Sequence, residues 1–535
     1  MQGLTSRPHT ESVPRRAHGA HLRRTGRTED TTVRCRLHRM PVHSLHRAEL
    51  STHFAHFPTR LREDQIVTLQ AAPAAARSVN PATGEVIDTY PFVDGDELDA
   101  VLRRARQGFA QWSQSSPEVR CAALARMSRL LLRDVGELGA LITTEMGKPI
   151  TQARAEVEKA AWVASWYAGN GAKMIADAPT SIGPAAHVAY RPLGPVLAVE
   201  PWNFPVWQVM RGAIPILLGG NAYVLKPAPN VVGCALAVER LWREAGVPEG
   251  AFSVLNADND VVSQAIAHPA IVGVTVTGSV RAGSAIAAQA GRAIKRSVLE
   301  LGGSDAFIVL GDADLNAAVE AAIHGRFQNS GQICIAAKRI ILDQAIADAF
   351  TERFVAEVRK LTVGDPTQES TYIGPIARDD IRQEIHRQVE RTVAEGARLL
   401  TGGGPIEGPG SFFQPTVLAD VTPAMTSFRE EIFGPVASLV VAEDLEDALA
   451  MANDSQFGLS ASLWTGDADL ASRVAQRLEV GGVFINGIAV SDPRIPIGGV
   501  KNSGYGRELS HLGVHEFTNI QAVWNCTPGF EGATR

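Results

Sequence analysis

The sequence predicts an α/β fold built on parallel sheets, and three observations lead to this prediction. From Pro195 onward, short uninterrupted apolar stretches alternate with helical segments, a pattern typical of parallel strands that are covered on both faces. The alternation restarts after Gly302-Gly303, which predicts two α/β domains that meet near this point. No internal repeat is present that would favour a solenoid or a propeller.

Two helices are predicted before the first buried strand. Asp94 and Glu97 have the spacing of a capping box, and apolar residues follow at the spacing of one helix face. Ser116-Pro117 predicts the start of the second helix, because proline lacks only an N–H that would have no partner in the first turn.

The next elements follow in regular order on both sides of Gly302-Gly303. In the first series we predict strand 195–199, helix 206–217, strand 222–225, helix 231–245, strand 252–255, helix 260–267, strand 271–276 and helix 280–290. In the second we predict strand 306–310, helix 313–328, strand 339–342 and helix 344–361.

Composition excludes several classes of protein. The chain has 535 residues, of which 45% are hydrophobic and 20% charged, as in ordinary globular proteins. A net charge of -6 gives no reason to expect a nucleic acid or an acidic membrane as partner, and no apolar run is long enough to span a bilayer. The 5 cysteines are scattered and lack CxxC spacing, so we expect no disulfide framework, no metal site and a reducing, cytoplasmic location.

Residues 1–66 form an Arg- and His-rich segment that we expect to be disordered, because it has too few aliphatic side chains to build a core. A functionless extension is the favoured interpretation. A transit peptide is disfavoured by acidic residues such as Glu29 and Asp30, and a nucleic-acid-binding arm is the third alternative. The folded part should begin near Ser78.

Three segments supply the groups needed to oxidise an aldehyde through a thioester. Cys334 follows a polar, glycine-containing approach, Asn329-Ser330-Gly331-Gln332, that fits a core strand poorly. Asn203 could donate its amide to an oxyanion, and Glu300 could activate water as a base. Taken singly, Asn203 could be a turn former and Glu300 a strand-end carboxylate paired with a lysine. We expect the Cys334 site to lower the pKa of its thiol.

A second group of residues has the features of a nucleotide site. The strand predicted at 271–276 leads into Thr277-Gly278-Ser279 and a helix that carries Gly283, so the helix N-terminus could face a phosphate. Lys226 closes another strand at the edge where open α/β sheets bind ligands. The alternatives are an ordinary loop and a solvated lysine.

Five segments together resemble the aldehyde dehydrogenase superfamily: Pro201-Trp202-Asn203-Phe204-Pro205, Thr277-Gly278-Ser279, Leu299-Glu300-Leu301-Gly302-Gly303, Gly331-Gln332-Ile333-Cys334 and Glu431-Ile432-Phe433-Gly434-Pro435. The resemblance runs from about Ser78 to Trp524. It implies a Rossmann-like NAD(P)-binding domain (67–174 and 192–303), an α/β catalytic domain (304–510) and a small β oligomerisation element (175–191 and 511–528). A homodimer or homotetramer is therefore expected.

The resemblance also implies a role for individual residues. Cys334 would be the nucleophile, Asn203 the oxyanion donor and Glu300 the base. The other implied residues are cofactor contacts: Trp202, Lys226, Thr277, Gly278, Ser279, Gly283, Leu301, Glu431 and Phe433. Glu300 argues against the CoA-acylating members, which lack that base.

Further segments, including Lys226-Pro227-Ala228-Pro229-Asn230 and Gly499-Val500-Lys501-Asn502-Ser503-Gly504, resemble a bacterial branch of succinate-semialdehyde dehydrogenases. This implies that Arg211 and Ser491 bind the substrate carboxylate, although Gln328 stands where some such enzymes carry a second arginine. Another semialdehyde or a broad range of aliphatic aldehydes is the alternative, and a non-catalytic protein with a nucleic-acid arm is a distant one. No acidic residue follows Lys226, so both NAD and NADP are expected to bind, with NAD favoured as the habit of the branch.

Overall fold

Two parallel sheets organise the fold in this computed structural model, which describes residues 74–526. The elements before Gly302 are β1 (Ala75–Val79), β2 (Val86–Pro91), α1 (Gly95–Trp112), α2 (Pro117–Arg133), α3 (Val135–Met146), α4 (Ile150–Met174), β3 (Ala178–Pro179), β4 (Ala186–Pro192), β5 (Pro195–Val199), α5 (Trp207–Leu218), β6 (Ala222–Lys226), α6 (Val232–Glu244), β7 (Phe252–Val254), α7 (Asn259–Ala267), β8 (Gly273–Thr277), α8 (Val280–Arg292) and β9 (Arg296–Glu300).

The elements after Gly303 follow the same alternation at first. They are β10 (Asp305–Val309), α9 (Leu315–Phe327), a 3-10 turn (Gln328–Gly331), β11 (Ala337–Asp343), α10 (Ala347–Val358), α11 (Asp379–Ala394), β12 (Arg398–Thr401), β13 (Thr416–Ala419), α12 (Thr426–Arg429), β14 (Val436–Ala442), α13 (Leu445–Asn453), β15 (Phe457–Gly458), β16 (Ser460–Trp464), α14 (Ala468–Ala475), β17 (Gly482–Ile485), β18 (Val500–Lys501), β19 (Gly504–Tyr505), α15 (Ser510–His515) and β20 (Thr518–Trp524).

The strands divide between the two sheets close to Gly302-Gly303. The first sheet has the order β19-β9-β8-β5-β6-β7 and is parallel except for β19. The second has the order β12-β13-β14-β11-β10-β16-β17 and is parallel except for β12. Only β19 crosses from the later part of the chain into the first sheet, so the predicted restart of the fold matches the change of sheet.

The predicted α/β fold is confirmed, and the strands and helices that were predicted between β5 and β11 differ from the observed ends by at most two residues. The sequence did not predict β9, which begins with exposed Arg296 and lacks an uninterrupted apolar run. The helix predicted at 344–361 is wrong at both ends, because α10 spans only Ala347–Val358. Asp343 explains the late start: its carboxylate accepts a hydrogen bond from the Ala345 N–H and its carbonyl from the Ile346 N–H, which makes a turn there.

A third sheet, of order β20-β4-β3, joins a hairpin to the last described strand. All seven residues of β20 pair with β4, from Thr518 opposite Pro192 to Trp524 opposite Ala186. These three strands coincide closely with the two segments, 175–191 and 511–528, of the β element that the family resemblance implies. Its role in oligomerisation and the domain bounds given above stay predictions.

The central strands of the two large sheets are buried, as expected for parallel strands that helices cover on both faces. The capping box at Asp94 and Glu97 is present at the start of α1. Cys121 and Cys234 are buried within α2 and α6, as expected for apolar cysteines. No helix within residues 74–526 has the length and hydropathy needed to cross a membrane. The expected disorder of residues 1–66 lies outside the described residues.

Candidate active site

The carboxyl ends of four neighbouring strands bring the predicted site residues to one edge of the first sheet. Strand β5 ends just before the Asn203 turn, β6 ends at Lys226, β8 at Thr277 and β9 at Glu300. In the sheet register, Lys226 lies beside Val199, and Thr277 beside Glu300. Open parallel sheets bind ligands at this edge, so the topology itself places these side chains at a candidate site.

A cavity of ≈ 240 Å³ at this edge gathers most of the predicted residues. It is lined by Pro201, Trp202, Asn203, Gln208, Thr277, Gly278, Ser279, Glu300, Leu301, Gly302, Cys334, Glu431 and Phe433. The nucleophile, amide and carboxylate proposed from three distant segments therefore face one space. Of the predicted cofactor residues, only Lys226 and Gly283 are not part of this lining.

The loop before Cys334 has an unusual backbone. Asn329 and Ser330 have φ of 54°, and Gly331 has φ of 72°, all in the left-handed region. A Cβ at Gly331 would lie 2.3 Å from the Gly434 carbonyl oxygen, so only glycine fits there. The nucleophile loop and the Glu431–Pro435 loop thus touch through their backbones.

Arg326 ties these two loops together. Its guanidinium is completely buried and donates to the carbonyls of Gly331 at 3.3 Å and Ile432 at 3.1 Å, and also to those of Gly434 and Val436. Fixed donors of this kind hold a loop in one geometry, which a nucleophile needs. Sequence analysis did not identify Arg326, because nothing in its local sequence distinguishes it from a helix-surface arginine.

Asn203 is held by hydrogen bonds to the nucleophile loop. Its side-chain amide nitrogen donates to the Gln332 backbone carbonyl at 2.9 Å, and its backbone carbonyl accepts from the Asn329 side-chain amide at 2.9 Å. The amide has two hydrogens, so one remains available to an oxyanion in the cavity. This geometry suits the predicted donor better than the alternative of a simple turn former.

A buried ion pair supports the Asn203 turn from behind. Glu156 accepts from the backbone N–H groups of Val206 and Trp207, both at 2.9 Å, and forms an ion pair with Lys148. The Lys148 ammonium lies 3.6 Å from the centroid of the Phe204 ring. The segment that carries Asn203 is therefore fixed before any ligand binds.

Burial dominates the electrostatics of Cys334. It raises the pKa of the thiol to about 11, against the opposing influence of Arg211 and Lys338. The expectation that the pocket lowers this pKa is therefore wrong for the protein without ligands, because desolvation of the thiolate exceeds the attraction of the two cations. The thiol must lose its proton to a base during reaction.

Glu300 is the candidate for this base. Burial raises the pKa of its carboxyl to about 8, opposed by Arg211 and reinforced by the charge of Glu508. The side chain is 4% exposed and no lysine pairs with it among the described residues, which excludes the structural alternative considered for it. A carboxyl with a pKa near neutrality can both accept and release a proton.

Arg211 lies at this site but not in the cavity lining. It is buried on α5, where it forms an ion pair with Glu508 and donates to the Thr277 hydroxyl at 3.2 Å. It is thus neither a helix-surface arginine nor an unpaired cation. Ser491 is also buried but is not part of this cavity lining. Its neighbour Asp492 lines a second cavity of ≈ 180 Å³, together with Ile335, the residue after Cys334.

The nucleotide-site residues have matching geometry. The Ser279 hydroxyl accepts from the Ala282 N–H at 3.3 Å and caps α8, so the N-terminus of this helix opens toward the cavity that Ser279 lines. A Cβ at Gly283 would lie 2.4 Å from the Leu301 side chain. Only glycine allows α8 to pack this closely against Leu301. The Trp202 and Phe433 rings meet edge to face, with centroids 5.7 Å apart.

Lys338 is a further residue that sequence analysis missed. Its ammonium pairs with Glu431 at 3.0 Å and donates to the Ile333 and Cys334 carbonyls. The sequence contained one indication of this role, the pair Lys338-Arg339 just before the apolar run of strand β11. Charged residues in a buried strand need partners, so this pair predicts buried polar contacts.

Comparisons with known proteins agree with this geometry. Residues 69–523 match the model of the aldehyde dehydrogenase family. The chain is 56% identical over 450 residues to the succinate semialdehyde dehydrogenase [NAD(P)+] Sad of Escherichia coli, covering 84% of this chain and 97% of that protein. It is 45% identical over 452 residues to a succinate-semialdehyde dehydrogenase [NADP(+)] of Mycolicibacterium paratuberculosis, covering 84% and 96%.

A solved structure shows the same fold. The succinic semialdehyde dehydrogenase of Streptococcus pyogenes, in complex with NADP+, superposes with a TM-score of 0.82 at 36% identity, over 84% of this chain and 99% of that one. The family match covers nearly all the described residues, and the predicted nucleophile, amide and carboxylate meet in one cavity. The chain belongs to the aldehyde dehydrogenase family.

Proposed function

We propose that the protein oxidises succinate semialdehyde to succinate with NADP+ or NAD+. The observation that carries this proposal is the single cavity shared by Cys334, Asn203 and Glu300. The named activity of the Escherichia coli relative, at 56% identity, supports the choice of aldehyde. Another semialdehyde or a broad range of aliphatic aldehydes remains the alternative substrate class.

In the proposed reaction the sulfur of Cys334 attacks the aldehyde carbon, and the thiol proton passes to Glu300. The carbonyl oxygen becomes an oxyanion that accepts a hydrogen bond from the free N–H of Asn203. Such a donor stabilises the transition state by roughly 3 kcal/mol in comparable sites. A bound nicotinamide would supply the acceptor for the hydride of the same carbon. Cys334 then carries the acyl group as a thioester.

Glu300 completes the cycle by activating water. Glu300 first releases the thiol proton to solvent and regains its carboxylate form. It then takes a proton from the water that attacks the thioester carbon, and passes this proton to the Cys334 sulfur as the sulfur leaves. The products are the carboxylic acid and the free thiol. Since burial raises the pKa of Glu300 to about 8, its basic form becomes more populated as the pH rises toward that value.

The residues around the cavity fit a nicotinamide dinucleotide. Ser279 and the N-terminus of α8 would hold the pyrophosphate, and Lys226 and Glu431 would bind the riboses. Lys226 has no ion pair among residues 74–526, and Glu431 has one carboxylate oxygen, Oε2, without a hydrogen bond from those residues. Both groups are therefore available to hydroxyl or phosphate groups.

We propose that both coenzymes are used. Pro229, three residues after Lys226, is exposed and uncharged, so nothing at this position repels a 2′-phosphate. Several relatives are named as NADP-dependent, which weakens the expectation that NAD is preferred.

We propose that Arg211 and Ser491 bind the substrate carboxylate, with help from Lys159. The Nη1 group of Arg211 has no hydrogen-bond partner among the described residues, so it can serve a ligand while Nε stays paired with Glu508. The Lys159 ammonium lies 4.5 Å from the Trp207 ring centroid, has no ion pair in residues 74–526, and interacts electrostatically with Arg211 and Asp492. A carboxylate next to these two cations would be strongly favoured.

The three-stranded sheet is the proposed oligomerisation surface. Ile520 and Val523 on β20 are exposed by 57% and 37%, and exposed apolar residues on an edge strand favour association. A homodimer or homotetramer in the cytoplasm is proposed, and a mass measurement in solution would detect a monomer if this is wrong.

The direct test of the proposed function is a screen of aldehydes against both coenzymes. Succinate semialdehyde should give the highest kcat/KM, and Cys334→Ala should abolish reduction of the coenzyme while the protein stays folded. Equal rates with butanal would favour the broad aliphatic alternative. Absence of turnover, together with salt-sensitive DNA retention that is lost on removing residues 1–66, would favour the nucleic-acid-binding alternative.

A further inference from the structure

Lys338 occupies a buried position between the nucleophile loop and the proposed cofactor site. It lies at the start of β11, four residues after Cys334, and its side chain is 2% exposed. An ammonium group has three N–H donors. Here the three have one acceptor each: Glu431 Oε1 at 3.0 Å, the Ile333 carbonyl at 2.9 Å and the Cys334 carbonyl at 2.6 Å.

The same contacts fix the orientation of Glu431. Its Oε1 accepts from Lys338 and also from the Gly303 N–H at 3.1 Å. Its Oε2 lies next to Gly302, since a Cβ added at Gly302 would be only 2.2 Å from this oxygen. Glu431 also lines the cavity. One carboxylate oxygen is thus anchored to the protein, and the other is left for a ligand.

We propose that Lys338 is a positioning residue that aims the Glu431 carboxylate at the cofactor and fixes it to the loop that carries the nucleophile. The inference rests on the proposed function, because it takes Glu431 as a cofactor ligand. It adds a connection between the cofactor and the nucleophile through one side chain.

The charge of Lys338 has a second effect at Cys334. It opposes the rise that burial causes in the pKa of the thiol. Removing this charge while Glu431 stays in place leaves a carboxylate that disfavours the thiolate. The cofactor-free protein should therefore have a less reactive Cys334 when Lys338 is neutral.

The test uses Lys338→Met, Lys338→Arg, Glu431→Gln and the Lys338→Met/Glu431→Gln double variant of the full chain, with Lys360→Met as the control. Lys360 is a matched control because, within residues 74–526, its one ion pair is with exposed Glu357 at the C-terminal end of α10. Binding of NADP+ is followed by intrinsic fluorescence. Alkylation of Cys334 by iodoacetamide at pH 9, without cofactor, is followed by peptide mass spectrometry.

We expect Lys338→Met to weaken NADP+ binding about tenfold and to slow alkylation of Cys334 several-fold, with Lys338→Arg in between. The double variant should bind NADP+ no more weakly than the worse single variant, because the two residues act as one unit. Lys360→Met should match the wild type in both measurements.

Three results would overturn the inference. One is Lys338→Met with wild-type NADP+ affinity and wild-type alkylation. Another is independent, multiplying losses in the double variant. The third applies if Lys338→Met does not fold. In that case the inference is overturned if Lys338→Arg equals the wild type in NADP+ affinity and in alkylation rate, and Glu431→Gln also has unchanged NADP+ affinity. Neither measurement needs an aldehyde, so an error in the substrate alone leaves them intact, whereas a wild type that binds neither coenzyme overturns both proposals.

Discussion

The Arg211 guanidinium and the Glu508 carboxylate form an ion pair that is almost fully shielded from water, with side-chain exposures of 2% and 7%. Arg211 donates a hydrogen bond of 3.2 Å to the Thr277 hydroxyl. The Thr275 hydroxyl donates one of 3.3 Å to Glu508. Arg211 also influences the pKa of both Glu300 and Cys334. It can therefore affect the chemistry as well as binding of a carboxylate.

The first prediction separates these two roles. Arg211→Ala should lower kcat/KM for succinate semialdehyde about ten- to hundredfold more than for butanal, because a lost charged hydrogen bond costs roughly 1.5–3 kcal/mol. Lys159→Met should show a smaller loss with the same preference for the acid substrate. Steady-state kinetics with both aldehydes measure this. An equal loss for the two aldehydes would limit Arg211 to an electrostatic role at Glu300 and Cys334.

The second prediction concerns pH. Because burial raises the pKa of Glu300 to about 8, this group is mostly protonated at pH 7. Hydrolysis of the thioester should therefore accelerate as the pH rises through about 8 and should slow below it. A profile of kcat from pH 6 to 10 checks this. Glu300→Gln is the control, and its kcat should not rise with pH near 8. A flat profile in the wild type, with hydrolysis rate-limiting, would refute a titrating Glu300.

The third prediction tests the space around Glu431. Gly302→Ala should weaken binding of NADP+ about tenfold, because the new Cβ would lie 2.2 Å from Glu431 Oε2 and force the carboxylate to turn. Gly136→Ala is the matched control, since a Cβ at this exposed helical position has open space around it. Fluorescence titration measures both. Unchanged affinity in Gly302→Ala would mean that Glu431 is not used in the orientation seen here.

The fourth prediction concerns coenzyme choice. Pro229→Glu should raise KM for NADP+ relative to NAD+ about tenfold, because a carboxylate near Lys226 would repel a 2′-phosphate. Pro229→Gln separates this charge effect from loss of the proline ring and should leave the ratio near that of the wild type. Equal ratios in both variants would place the 2′-phosphate elsewhere.

The sequence predicted the parts of this site that depend on chain order and strand ends. Lys226 and Thr277 could be placed at strand ends because predicted apolar strands end at or beside them, whereas Glu300 ends β9, which was not predicted. Ends of elements were less predictable where a side chain redirects the backbone, as Asp343 does before α10.

The electrostatics and the supporting contacts could not be predicted in this way. The pKa of Cys334 depends on how much water the folded pocket excludes, and that amount is set by residues far apart in sequence. Arg326 and Lys338 donate mainly to backbone carbonyls, which carry no sequence signal. Their roles became visible only from the contact between the Gly331 and Gly434 loops.

The most direct test of the central claim is a rapid-mixing experiment on Glu300→Gln with succinate semialdehyde and NADP+, followed by intact-protein mass spectrometry. We predict a burst of reduced coenzyme close to one per active site, formed more slowly than in the wild type because Gln cannot take the thiol proton. Slow turnover and a succinyl group attached to Cys334 should follow. A steady rate equal to that of the wild type, or a burst without any acyl group on Cys334, would contradict the covalent mechanism proposed for this site.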